Sequence, residues 1–65
     1  MITKKGFEEI ADLIAIQFLW GKFEDDNIDN LIEIWCQWGH RENPNFNNII
    51  FAKRIKEYIK NTKVD

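Results

Sequence analysis

Apolar side chains recur at intervals of three and four residues in three separate stretches, and this spacing commits the chain to helices rather than strands. In the first stretch Phe7, Ile10, Ala11, Ile14 and Phe18 fall within one narrow stripe at 100° per residue, with Glu8, Glu9 and Asp12 behind them. In the second, Ile28, Leu31, Ile32, Trp35, Trp38 and Gly39 share a face, Asp29, Asn30, Glu33, Gln37 and Arg41 share the other, and Ile34 and Cys36 lie at the edges. The third sets an inner arc of Phe51, Ala52, Ile55, Tyr58 and Ile59 against a basic outer face of Lys53, Lys56 and Lys60. No internal repeat, linker or low-complexity tract separates these stretches. Residues 1–65 are therefore read as one all-α domain, a small three-helix bundle with helices over about 4–21, 28–40 and 48–61.

The ends of the stretches carry capping chemistry. Thr3 is placed to cap the first helix, with Ile2 before it and Phe7 at the fourth helical position forming a hydrophobic staple. Asp25, Asp26 and Asn27 are each competent to cap the second helix, and Asp29 adds a favourable charge in its first turn. That helix is expected to stop at Gly39 or in the turn over residues 41–45, because Pro44 biases Asn43 away from helical angles. Before the third helix, Asn47 can cap while Phe46 staples onto Phe51.

The run Asn43-Pro44-Asn45-Phe46-Asn47, with Phe51 four residues on, resembles a pattern N-P-x-F-[D/N]-x-x-x-F in short phage-encoded helical proteins of unassigned role. The helix around Phe7, Ile10 and Ala11 is similar to theirs as well. Asn47 stands where Asp is more usual, and Ile49 and Ile50 where charged residues are usual, which points to a contact surface particular to this chain. The resemblance implies a viral or prophage origin and a protein that binds and blocks a host factor, such as an anti-CRISPR or other anti-defence inhibitor in the host cytoplasm.

A chain of 65 residues buries a small share of its surface and is marginally stable. One cysteine, Cys36, cannot staple it, and a free thiol without a disulfide framework fits a reducing, cytoplasmic setting. No apolar run is long enough to span a membrane, so no membrane partner is expected. Five Phe, three Trp and one Tyr are many for so small an interior, so some aromatic surface should be exposed. Residues 1–33 carry three basic and eight acidic side chains and residues 34–65 carry six basic and three acidic ones, an asymmetry that pairing within the fold can absorb.

Residues able to do chemistry are few. Cys36 and His40 share a helical face but lack an orienting third group and further metal ligands, so no catalytic residue, metal or cofactor is assigned. The acids from Glu24 to Asp29 lack the alternation, central Gly and closing Glu of a calcium loop. A net charge of −2 is far from that of a DNA mimic. Lys53, Lys56, Lys60 and Lys63 could follow a phosphate backbone, but nothing else in the chain suits nucleic acid, which is disfavoured as a partner. The stronger signal is the apolar surplus: Ile16, Leu19 and Trp20 on the back of the first helix, and Ile49 and Ile50 on the third, exceed what a one-sided helix requires. They are read as a contact for a host protein or for self-association as a homodimer, with Lys53, Lys56 and Lys60 as a basic rim. The alternatives are a nucleic-acid-binding regulator using the lysine row, and a structural subunit that folds within an assembly.

Overall fold

Three helices, α1 (Lys4–Leu19), α2 (Ile28–Glu42) and α3 (Asn48–Thr62), make up the chain in a computed structural model that describes residues 2–24 and 27–62. There is no strand among the described residues, and the architecture is the expected all-α three-helix bundle. Ring and ion-pair contacts fix the directions. Phe7 meets Phe51 with ring centroids 6.4 Å apart, Asp12 meets Arg54, and Leu19 lies beside Tyr58 and Thr62, so α1 and α3 run parallel. Asp29 pairs with Lys56 while Cys36, further along α2, reaches the start of α3 at Asn48, so α2 runs against α3. The topology is up-down-up, within an envelope of 37 × 21 × 16 Å.

Each helix begins where its local chemistry dictates. The Thr3 hydroxyl accepts a hydrogen bond from the Gly6 N–H at 3.1 Å, and Ile2 packs against the core as the staple requires. Asn27 caps α2, its side-chain oxygen accepting from the Asp29 and Asn30 N–H groups. The other two candidates for that cap, Asp25 and Asp26, lie outside the described residues. Asn47 accepts from the Ile49 and Ile50 N–H groups at 3.0 and 3.1 Å, and Phe46 packs on Phe51 at 5.1 Å.

The helix ends depart from the sequence-based boundaries by up to two residues. α1 stops at Leu19 rather than Gly21, because Trp20 forms the cap and Gly21 turns into the left-handed region at φ 68°. The Lys22 N–H donates to the Gln17 carbonyl and the Gly21 N–H to that of Phe18, the paired bonds of a Schellman motif. α2 continues past Gly39 to Glu42, and the turn at Pro44 ends it. Gly39 therefore does not terminate the helix; it makes room. A β-carbon there would sit 2.7 Å from the Phe46 ring.

Phe46 is buried at the centre of an aromatic cluster that joins all three helices. Its ring lies 4.7 Å from Phe7, 5.1 Å from Phe51 and 5.0 Å from the His40 ring, and Phe7 in turn meets Trp38 edge-on at 5.9 Å. Ala11, Ile14, Ala15, Ile32 and Ile55 complete this core. The loop carrying Phe46 is held by Asn43, whose side-chain oxygen accepts from the Asn45 N–H and whose carbonyl accepts from the Phe46 N–H, closing a β-turn. The Asn43 amide also donates to the Ile2 carbonyl at 2.9 Å, tying the segment before α1 to the loop before α3.

Candidate protein-interaction surface

Large apolar side chains more than half exposed are the main surface anomaly: Leu13, Trp20, Ile34, Ile49 and Ile50. Trp20, at 70%, is the one exposed aromatic; the other eight are buried or half-buried. Its position follows from the end of α1. The Schellman turn at Gly21 stops the helix one residue after Leu19 and leaves the indole standing at the corner of the bundle. Ile16 and Leu19 are half-buried, and they line a shallow depression together with Trp20 and with Tyr58 and Thr62 of α3.

Ile49 and Ile50 do not join that surface. Since α3 runs parallel to α1, its first turn lies at the opposite end of the bundle from Trp20. Ile50 forms a lip of a groove of about 370 Å³ between the N-terminal halves of α1 and α3. Phe7, Ala11, Phe46 and Phe51 floor this groove, and Lys4, Glu8, Arg54 and the amides of Asn43, Asn45 and Asn47 rim it. Ile49, 100° further round the helix, points away from the groove and heads the lysine face. The five side chains read as one contact thus divide between two depressions on a single seam, the outer junction of α1 and α3, with Ile49 outside both.

Two exposed apolar positions were not among those five. Leu13 lies seven residues before Trp20, on the same back of α1, and Ile34 was read as an edge residue of α2. The spacing of Leu13, Ile16 and Trp20 was the available signal for the first of them.

Between the two depressions the seam is bridged by Arg54, whose Nε and guanidinium NH2 group donate to the two oxygens of Asp12 at 2.9 and 3.0 Å. This fork-to-fork geometry, together with the fields of Asp12 and Glu8, favours the charged guanidinium. Lys56 pairs with Asp29 at 2.9 Å, so the acidic first half and basic second half of the chain do meet within the fold. The same pairings thin the lysine row, since Lys53 approaches Glu57 at 4.0 Å and Lys56 is engaged by Asp29. Lys60 is exposed, and Lys63 lies outside the described residues. A row interrupted by carboxylates is a poor track for phosphates.

Cys36 and His40 each lie against another group in this arrangement. The thiol is half-buried with its sulfur 4.0 Å from the Asn48 carbonyl, and burial raises its pKa, disfavouring thiolate. His40 instead sets its ring edge-on against Phe46. Among the described residues no group of three His, Cys, Asp or Glu side chains is disposed to hold a metal ion, and no helix is long and apolar enough to cross a membrane. Comparison with protein-family models, with curated proteins and with solved structures finds no match to this chain.

Proposed function

We propose that the protein is a binding module for another protein, and that its contact surface is the outer α1–α3 seam with Trp20 as the anchor. The observation that carries this reading is the indole at 70% exposure, held at a helix end by a glycine turn and outside the aromatic core that Phe7, Phe46 and Phe51 form. Tryptophan is enriched among the side chains that dominate binding energy, and Trp20 lines an apolar depression with Ile16, Leu19 and Tyr58 rather than standing alone. The resemblance of residues 43–51 to phage-encoded proteins supports an antagonist of a host factor as the biological setting. The geometry itself supports protein contact.

The test is Trp20→Glu. With so much of the indole exposed, the variant keeps the circular dichroism of the parent, and the immobilised variant loses the proteins, copies of itself included, that the immobilised parent retains. A variant that unfolds would place Trp20 in the core, and a folded variant that retains the same proteins would remove the seam as the contact; either outcome defeats the proposal.

A further inference from the structure

We infer that the groove between the N-terminal halves of α1 and α3 is a binding site for a small aromatic carboxylate, a single ring on a short chain that ends in the acid. This goes beyond the protein-binding reading, and the two can fail separately because Trp20 lines the other depression.

The size and floor of the groove set the body of the ligand. Its volume of about 370 Å³ stands at the small end of the range for ligand sites, roughly 300 to 1,000 Å³, and takes one ring rather than a fused system. Three phenyl rings floor it, with Phe46 inclined to Phe7 at 60° and to Phe51 at 62°, and Phe7 perpendicular to Phe51. Rings so disposed offer both faces and edges, the two surfaces on which a further aromatic ring packs well. Ala11, with a single methyl, leaves the depth between them.

The rim sets the head. Most of its free hydrogen-bonding capacity is donating, because the fold already uses the acceptors. The Asn47 side-chain oxygen takes the N–H groups of both Ile49 and Ile50, so its amide has only N–H left to offer. The Asn43 oxygen accepts from the Asn45 N–H, and its amide gives one proton to the Ile2 carbonyl and keeps the other. Arg54 uses Nε and one terminal nitrogen on Asp12, which leaves its second terminal nitrogen, and Lys4 has no ion pair among the described residues. Against these donors stand the Asn45 amide, which can accept, and one carboxylate, Glu8, which lies in the field of Arg54. A carboxylate head has acceptors alone and bonds charge-assisted through both oxygens, so it complements this rim where a neutral amide does not. The helix dipoles act in the same sense, since α1 and α3 both begin at the groove and neither carries an acid in its first turn.

Titration of the isotope-labelled full chain with phenylacetate, phenylacetamide and cyclohexylacetate at neutral pH, followed by amide chemical shifts, tests this. The parent should bind phenylacetate saturably, with shifts centred on Phe7, Ala11, Asn47 and Phe51. Phenylacetamide keeps the ring and loses the charge, and should bind at least about tenfold more weakly. Cyclohexylacetate keeps the charge and loses the aromatic contact, and should bind about threefold more weakly. Two rim variants should move in opposite directions: Lys4→Gln weakens phenylacetate binding, and Glu8→Gln tightens it by removing the opposing charge. A general loosening of the fold would weaken both, and circular dichroism checks for it; if either variant unfolds, the three probes on the parent decide. No saturable binding at millimolar phenylacetate, shifts centred on Trp20 and Tyr58 instead, equal affinity for acid and amide or for the two rings, or folded rim variants with unchanged affinity would each overturn the inference. A groove that stays empty leaves the reading of Trp20 as a protein anchor where it stands.

Discussion

Phe46 belongs to no helix, yet its ring touches Phe7 of α1, His40 of α2 and Phe51 of α3. It fits because Gly39, one turn before the end of α2, has no β-carbon to occupy the same space. This makes an exception to helix propensity. In an exposed helix interior, Gly→Ala stabilises by up to about 1 kcal/mol. At Gly39 the added methyl would sit 2.7 Å from ring carbons that are themselves enclosed on other sides, so Gly39→Ala should destabilise the fold, by about 1 to 3 kcal/mol as an overpacked core does. Phe46→Ala alone should cost about 3 kcal/mol or more. The informative measurement is the double variant in urea denaturation: because Phe46→Ala removes the obstacle, Gly39→Ala should become neutral or stabilising in its presence. Additive losses would show that the two residues do not share this space.

At the scale of the element, what could be read from the sequence was what depends on neighbours three or four residues away. Thr3, Asn27 and Asn47 as caps, Phe46 stapled on Phe51 and the inner arcs of α2 and α3 all follow from local spacing, and all are present. The failures came where distant residues decide. Local spacing leaves Gly39 and the turn over residues 41–45 as alternative ends of α2, and it is the turn that ends it, while the packing of Gly39 against Phe46 lies across that turn and the bond from the Asn43 amide to the Ile2 carbonyl joins residues 41 positions apart. Spacing groups Ile16 and Leu19 with Trp20, and the three do line one depression. What spacing does not contain is the parallel course of α3, which brings Tyr58 and Thr62 to the same depression. The same course separates Ile49 and Ile50 from Trp20, and no helical wheel contains it. Gly21 bears on the site directly, since its left-handed conformation closes α1 under Trp20. A β-carbon at Gly21 would meet nothing within 4 Å, so Gly21→Ala should cost about 1 kcal/mol from backbone strain alone, and Gly21→Asn less. Thermal unfolding checks both. An unchanged melting temperature in Gly21→Ala would mean that the turn adopts another form in solution.

For the whole molecule, the shortage of interior is the governing fact. Among the described residues nine apolar ones are buried, while Leu13, Trp20, Ile34, Ile49 and Ile50 are more than half exposed. The described ion pairs sit at the surface, where such contacts are worth at most about 1 kcal/mol each, so they do not make up the difference. A domain of this size gains from whatever covers its apolar surface, and that gain is measurable without knowing any biological partner. If two copies cover each other, unfolding is coupled to dissociation and the melting temperature depends on concentration. Each tenfold rise in concentration adds about 0.7 kcal/mol per chain in the dimeric regime, which for a domain of this size corresponds to roughly 3 to 5 °C. The parent chain should show that slope by calorimetry or circular dichroism at high concentration. Trp20→Ala should melt at one temperature throughout, because removing an exposed indole leaves the monomer's own core untouched. Equal slopes in the two proteins would mean that the stabilising contact lies on another face, with Leu13 and Ile34 the next positions to change. Two flat lines would mean that the monomer carries its exposed apolar surface without the help of a second copy.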